Sequence, residues 1–376
     1  MVANVFTLNG REVDFQPGET ILEAARRHQV VIPTLCHLAG TTPTGACRVC
    51  VVEVEGALTL MTACTTPVAE GMGVQTESPV VVAARRTIIE LLLASGNHNC
   101  AATQMEHGGD WSAFQIAAQQ MDGDELCPSW GDCKLQELAF QYQVRPDRFA
   151  PLTDCPPPEL ANPMIVRDFS RCIRCGRCVQ ACNEVQVNRA INFGYRGRQA
   201  KIVAGDDRSL AESDCVFCGQ CVQACPTGAL VDKKARFQWR PWEVEKIRTT
   251  CPYCGVGCQQ WLHVRNGRIV RVTAVEDAEP NQGRLCVKGR YGYDFIYSEE
   301  RLKNPLIRDG EGFREASWDE ALDLVADKFK QIIVESGPNS VAGVSCARSI
   351  NEDSYQMQKL FRAVFKTNNI DHCART

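Results

Sequence analysis

Nineteen of the 22 cysteines fall into five ordered groups, and thiolates at these spacings are the ligands of iron-sulfur clusters, whose chemistry is one-electron transfer. The most regular groups are Cys172, Cys175, Cys178 and Cys182, then Cys215, Cys218, Cys221 and Cys225 followed by Pro226. Each run reads Cys-x2-Cys-x2-Cys-x3-Cys, and both contain Cys-Val-Gln-Ala-Cys, the mark of a duplicated unit. In this arrangement the fourth cysteine of each run serves the other cluster. Cys225 is therefore expected with Cys172, Cys175 and Cys178, and Cys182 with Cys215, Cys218 and Cys221. A pair of tetrahedral zinc ions would not need such crossing.

Cys36, Cys47, Cys50 and Cys64 are separated by ten, two and thirteen residues, with Thr44, Gly45 and Ala46 keeping the approach loop small. One loop plus a remote ligand suits a 2Fe-2S rhomb. The first gap is longer than the plant-type ferredoxin spacing, but the tight central pair and distant fourth ligand remain; a structural zinc site is the alternative. His98, Cys100, Cys127 and Cys133 form the least regular set, with twenty-six residues between Cys100 and Cys127. A neutral imidazole in place of a thiolate removes one negative charge from a 4Fe-4S cluster and shifts its potential. Alternatives are that His98 caps the preceding helix or is simply exposed, and that His107 is the ligand instead. The inserted residues 101–126 include a helix-like stretch at 111–120.

The last set, Cys251, Cys254, Cys258 and Cys286, has gaps of two, three and twenty-seven residues. Gly255 and Gly257 let the backbone wrap closely around a 4Fe-4S cubane. Lys288, two residues after the last cysteine, either sits between the cluster and a second cofactor or is a solvated surface lysine. Cys155, Cys346 and Cys373 remain and read as small buried hydrophobes.

These groups need elements to hold them. Residues 2–15 read as two strands around Asn9-Gly10, residues 19–29 as a helix, 48–55 as a strand and 80–95 as a second helix. Residues 145–163 carry six prolines and read as a linker. Beyond Trp318 the pattern becomes helix (319–334), strand (340–345), helix (353–365), the opening of an α/β domain. With 376 residues, 44% of them hydrophobic, the chain has room for two or three domains. Short modules held by metal ligation are expected in place of one large core. A net charge of -4 offers no basic face for nucleic acid. No apolar run approaches the roughly 18 residues of a membrane span. The N-terminal residues show no export signal, and the pairs Arg26-Arg27 and Arg85-Arg86 lie inside helix-like stretches. A cytoplasmic protein is expected, in which dense cysteine means metal ligation.

With all five sets in this order, the chain resembles the catalytic α subunit of cytoplasmic, NAD-linked formate dehydrogenases of the molybdenum/tungsten bis-pyranopterin class. Residues 1–145 are similar to the N-terminus shared by the large electron-transfer subunit of complex I and NADH-linked iron-only hydrogenases, where a histidine and three cysteines ligate a 4Fe-4S cluster. Residues 164–235 are similar to the two-cluster ferredoxin module. Thr250-Cys-Pro-Tyr-Cys-Gly-Val-Gly-Cys258 with Cys286-Val-Lys-Gly289 resembles the cluster domain of molybdopterin oxidoreductases, in which the lysine at the Lys288 position links cluster and pterin. Ser345-Cys-Ala-Arg-Ser-Ile-Asn-Glu-Asp-Ser354 and Thr367-Asn-Asn-Ile-Asp-His-Cys-Ala-Arg375 narrow the resemblance to formate dehydrogenases.

The resemblance implies an α+β multidomain architecture. It comprises a 2Fe-2S ferredoxin-type β-grasp domain (1–79), a 4Fe-4S domain with one histidine and three cysteine ligands (80–145), a Pro-rich linker (146–163), a two-cluster ferredoxin domain (164–240), a 4Fe-4S molybdopterin-oxidoreductase domain (245–300) and the truncated start of a molybdopterin-binding α/β domain (301–376). It also implies one 2Fe-2S cluster, four 4Fe-4S clusters, and molybdopterin guanine dinucleotide with molybdenum or tungsten in the complete enzyme. Formate would be oxidised to carbon dioxide, or the reverse, with electrons passed to a flavin- and NAD-binding partner subunit. In that family the metal-ligating cysteine or selenocysteine follows directly on the position of Thr376. The expectation is that a UGA codon read as termination ends the chain here, and that these residues alone do not oxidise formate. A stand-alone polyferredoxin-like electron carrier and the front part of another molybdopterin oxidoreductase are the other readings.

Overall fold

The computed structural model describes residues 4–98, 127–144, 148–152 and 154–373. Two compact units emerge, Met1–Glu245 with Arg265–Arg271, and Lys246–Val264 with Val272–Thr376.

In the first unit, β1 (Val5–Leu8) and β2 (Arg11–Asp14) form a hairpin whose turn residues Asn9 and Gly10 both have positive φ, as a two-residue turn of this kind requires. Thr20 starts α1 (Ile21–Arg27) with a reciprocal capping box to Glu23. β3 (Val51–Val54), β4 (Met61–Thr62) and β5 (Gly73–Gln75) complete a five-stranded sheet in the order β2-β1-β5-β3-β4, with β1 and β5 parallel. Phe6, Leu8, Ile21, Leu22, Val52, Ala63 and Val74 fill the core between this sheet and α1. Ser78 and Pro79 begin α2 (Pro79–Leu93), and α3 (Lys134–Gln141) joins it in a second core with Trp130 and Leu135.

The expected linker has no helix or strand among its described residues, yet it is tied down: Leu152 N donates to Ala94 O at 2.8 Å and Glu159 bridges to Arg167. A duplicated module follows. Its elements are β6 (Ile165–Arg167), α4 (Arg177–Gln180) running on as a π-helix over Ala181–Val185, β7 (Ile191–Gly194), β8 (Lys201–Ala204), α5 (Gln220–Ala224) and β9 (Leu230–Asp232). β6 pairs antiparallel with β9 and β7 with β8. The repeat is visible in the backbone: Arg174 and Gly176 have φ of 53° and 81°, and their counterparts Phe217 and Gly219 have 52° and 71°. Both glycines begin a short helix from the left-handed region, where a Cβ is strained.

β10 (Glu245–Thr250), β11 (Gln259–Arg265) and β12 (Arg268–Ala274) form one sheet, and the second unit holds the short α6 (Val287–Tyr291). β13 (Leu306–Asp309) and β14 (Gly312–Glu315) form a hairpin ahead of α7 (Trp318–Ser336), capped by Ser317. β15 (Gly343–Ser345) and β16 (Ile370–His372) are parallel, linked by α8 (Asn351–Lys359) and a π-helical continuation over Leu360–Phe365. This is a strand-helix-strand crossover, as the sequence predicts for an α/β opening. Among the described residues no helix is long and apolar enough to cross a membrane.

Candidate iron-sulfur centres

Cys36, Cys47, Cys50 and Cys64 are all buried, at the seam of the two cores. Cys50 and Cys64 belong to the sheet-α1 core, Cys36 and Cys47 to the core of α2 and α3. The Cys50 and Cys64 sulfurs lie 3.4 Å apart, near the roughly 3.7 Å edge of a sulfur tetrahedron around a metal bonded at about 2.3 Å. The thiols are in electrostatic conflict. Hydrogen bonds from Cys47 and Cys64 hold the Cys36 thiol well below the ordinary range, and Cys36 together with burial pushes Cys47 and Cys64 up. Four buried sulfurs cannot all ionise without cations among them, so this donor set fits a cationic iron core.

His98, Cys127 and Cys133 line one small pocket, together with Trp130, Leu135 and Arg171. Cys100 lies outside the described residues, as do His107 and the helix-like stretch at 111–120. His98 is not exposed as one reading allows: its Nε2 is buried and has no hydrogen-bond partner among the described residues. Burial, and next the charge of Arg171, push its imidazolium down to about 4, leaving a neutral ring. Arg171 Nη1 donates to Cys127 Sγ at 3.0 Å.

In the duplicated module, Cys172, Cys175, Cys178, Cys221 and Cys225 line one small apolar pocket with Ile173, Ile191 and Ile202. Burial pushes the Cys172 thiol up to about 11, and the Cys225 sulfur acts on it and on Cys175 in the same direction. Cys182 acts instead on Cys215 and Cys221, behind the larger effect of burial and their own run. Cys225 thus stands against Cys172, Cys175 and Cys178, and Cys182 against Cys215 and Cys221.

In the second unit Cys251 is buried, Cys254 and Cys258 are half-buried and Cys286 is exposed. Cys251, Cys254 and Cys286 all bear electrostatically on Cys258, whose thiol burial already raises. The two glycines of the loop work differently. Gly257 has φ of 72° in open space, a conformational need. Gly255 has no such φ; a Cβ there would meet Asn351 Oδ1 at 2.6 Å. Asn351 Nδ2 donates to Gly255 O at 2.8 Å, tying the cysteine loop to the start of α8. Gly289 keeps room beside Cys251, whose Sγ would lie 3.3 Å from a Cβ. Lys288 is exposed on α6.

Arg171 and Asn351 carry no spacing signal and are found only in three dimensions. So is Glu184, which accepts from both N and Oγ1 of Thr42 at 2.8 and 3.0 Å and so holds the loop between Cys36 and Cys47. The three remaining cysteines are not buried hydrophobes: Cys373 is exposed, and Cys155 and Cys346 are half-buried with polar contacts.

Residues 5–79 match the 2Fe-2S iron-sulfur cluster binding domain, and residues 171–229 match the 4Fe-4S dicluster domain. Residues 244–298 match the molybdopterin oxidoreductase Fe4S4 domain, and residues 301–376 match the molybdopterin oxidoreductase family. The chain is 37% identical over 369 residues to the NADPH-Fe(3+) oxidoreductase subunit alpha of Geobacter sulfurreducens, covering 98% of this chain and 40% of that protein. It is 34% identical over 371 residues to an NADH-quinone oxidoreductase subunit of Rhizobium meliloti, again over 98% of this chain and 40% of that one. Among solved structures, a chain of the NAD+-reducing NiFe hydrogenase in the H2-reduced state matches with a TM-score of 0.51 and 30% identity, over 63% of this chain and 90% of its own. The chain spans about 40% of the length of these curated relatives. The ordered cysteine sets other than that of His98 thus fall within matches to a 2Fe-2S domain, a 4Fe-4S dicluster domain and a molybdopterin oxidoreductase Fe4S4 domain, in that order along the chain, with a second molybdopterin oxidoreductase match following.

Proposed function

We propose that these residues are the electron-transfer portion of the α subunit of a NAD-linked formate dehydrogenase, working in the cytoplasm. Cys36, Cys47, Cys50 and Cys64 would hold the 2Fe-2S cluster on a β-grasp domain. His98, Cys100, Cys127 and Cys133 would hold the first 4Fe-4S cluster. Cys172, Cys175, Cys178 and Cys225 would hold the second, and Cys182, Cys215, Cys218 and Cys221 the third. Cys251, Cys254, Cys258 and Cys286 would hold the fourth, with Lys288 toward the pterin of a molybdenum or tungsten guanine dinucleotide cofactor. When bound, these groups supply the one-electron relay and the two-electron formate chemistry.

One observation carries the reading. Asn351, inside the stretch 345–354 that resembles formate dehydrogenases, holds the carbonyl of Gly255 in the Cys251–Cys258 loop at 2.8 Å. The cysteine loop and the formate-type segment are therefore fixed to each other within one unit. A Staphylococcus haemolyticus relative, SH0748, with the provisional name formate dehydrogenase and 28% identical over 409 residues, supports the same substrate. A flavin subunit that recombines single electrons into hydride is the partner this reading requires.

A second reading rests on the higher identity, 37%, to the Geobacter NADPH-Fe(3+) oxidoreductase subunit. In it the relay runs from a nicotinamide nucleotide and formate has no part. The test is the complete gene product purified with its partner subunits. Formate-dependent reduction of NAD+ supports the first reading; NADPH-dependent ferric reduction with no response to formate replaces it with the second. Iron near 18 per chain is expected from one 2Fe-2S and four 4Fe-4S clusters, and about 14 would mean that the His98 set is empty.

A further inference from the structure

Cys346 and Cys373 lie outside every cluster set, twenty-seven residues apart in sequence, and they meet. β15 and β16 pair in parallel with Ser345 opposite His372, so the next residue of each strand leaves the sheet at the same level. Those two residues are Cys346 and Cys373, and their sulfurs are 3.4 Å apart. Neighbouring strands run about 4.8 Å apart, inside the roughly 4.4–6.8 Å Cα separation that a disulfide accepts. Closing the pair needs the sulfurs to approach by about 1.4 Å, to the ~2.05 Å of an S–S bond.

The turn after β15 adds polar support to both sulfurs. Arg348 N donates to Cys346 Sγ at 3.3 Å. The Ala347 N–H points to the Cys373 sulfur and is the largest influence holding that thiol below its ordinary range, followed by the contact with Cys346. A thiolate stabilised by backbone N–H groups and exposed to solvent is the reactive form of cysteine.

We propose that Cys346 and Cys373 form a redox-responsive dithiol that closes to a disulfide by exchange with a small-molecule disulfide. The Cys373 thiolate attacks one sulfur of the small disulfide, and the first thiol leaves with a proton. The Cys346 thiolate then attacks Cys373 Sγ in the mixed disulfide, and the second thiol leaves. The two cysteines are oxidised by two electrons, and the small disulfide is reduced to two thiols that carry away both protons. The bridge joins the carboxyl ends of two parallel strands, the edge at which open α/β sheets bind their ligands, so it stiffens that edge. Nothing in this inference depends on formate as substrate.

The complete protein with its partner subunits is prepared anaerobically and reduced, then exposed to glutathione disulfide at graded ratios to glutathione. Thiols are blocked at low pH, and the protein is cleaved with trypsin without reductant. Residues 331–348 and 367–375 are tryptic peptides with one cysteine each. The expected product is the two peptides joined, lighter than their sum by two hydrogens, increasing with the glutathione disulfide ratio and reversed by dithiothreitol. Iron content should stay constant. Cys346→Ser should trap glutathione on Cys373, whereas Cys373→Ser should leave Cys346 largely unmodified. Both cysteines remaining blocked as free thiols, or each carrying its own glutathione with no joined peptide, overturns the proposal. A joined peptide that forms only as iron is lost also overturns it, because the thiols would then be scrambling from damaged clusters.

Discussion

Arg171 Nη1 donates to the sulfur of Cys127 at 3.0 Å, while its Nε is held by Asp168 Oδ2 at 3.0 Å and its backbone runs directly into Cys172. A buried guanidinium on a cluster sulfur favours the more negative, reduced state and so raises the reduction potential. Arg171→Gln should lower the potential of the His98-set cluster by on the order of 60 mV, a tenfold change for a one-electron couple. Arg171→Lys, which keeps the charge, should recover part of the shift. The measurement is an EPR-monitored redox titration of preparations matched for iron. An unchanged potential in Arg171→Gln would show that the bond has no hold on the cluster.

Crossing of the two ferredoxin runs makes a second prediction. Cys225 stands against Cys172 and Cys175, and Cys182 against Cys215 and Cys221. Cys225→Ser should therefore damage the cluster of Cys172, Cys175 and Cys178, with iron falling by up to about four per chain. The cluster of Cys215, Cys218 and Cys221 should survive, and Mössbauer or EPR spectra can distinguish the two through paired single-run variants. Loss of the Cys215-run cluster alone would mean that each run binds its own metal.

Glu184 reaches across 142 residues to hold Thr42 through two hydrogen bonds, and the Gln180 side chain donates to Thr42 O. The loop that carries the first cysteine set is thereby fastened to the π-helix of the duplicated module. Glu184→Ala should lower the thermal midpoint of the 2Fe-2S absorbance, corresponding to about 1 kcal/mol, with iron content unchanged. Glu184→Gln keeps an acceptor and should lose less. Equal behaviour of both variants and wild type would remove the loop's dependence on this contact.

Acid should act on the N-terminal sheet through Arg27. Its guanidinium bonds to Asp14 Oδ2 at 2.7 Å and Glu19 Oε2 at 3.0 Å, and these bonds hold both carboxyls below their ordinary values of 3.8 and 4.5. A carboxyl whose folded pKa is depressed stabilises the fold above its unfolded value and loses that contribution as pH falls through the folded one. The gap in thermal midpoint between wild type and Arg27→Gln should thus be full near neutral pH and narrow as pH falls below about 4.5. A gap that stays constant down to pH 3 would assign the role of Arg27 to packing alone.

The grouping of cysteines along the chain is legible because ligand spacing is a local property: a cluster restricts the residues between its ligands, and that spacing is the ground for expecting crossed pairing. Hairpins were legible for a similar reason. Asn9-Gly10 announces β1 and β2, and Asn266-Gly267 turns β11 into β12 by the same rule, with φ of 50° and 74°. Contacts between distant segments left no such trace. Arg85 illustrates the limit: the sequence places it only inside a helix-like stretch, yet Arg85 is fully buried, bonded to Glu77, the Tyr142 hydroxyl and Val51 O. The meeting of Cys346 and Cys373 is equally silent, because it depends on the register of two strands joined by a helix.

Gly255 and Asn351 supply a test that separates packing from hydrogen bonding in the Cys251–Cys258 loop. A Cβ at Gly255 would lie 2.6 Å from Asn351 Oδ1, the far end of a side chain that can swing away. Swinging away breaks the bond from Asn351 Nδ2 to Gly255 O. Gly255→Ala and Asn351→Ala should then lose the same interaction, each about 1 kcal/mol. The double variant should cost no more than either single one, a coupling of about 1 kcal/mol in a double-mutant cycle. Denaturant titration of the cluster absorbance in the complete protein measures all three. Additive losses would mean that Gly255 is required for the backbone path itself and that Asn351 is not what keeps this position small.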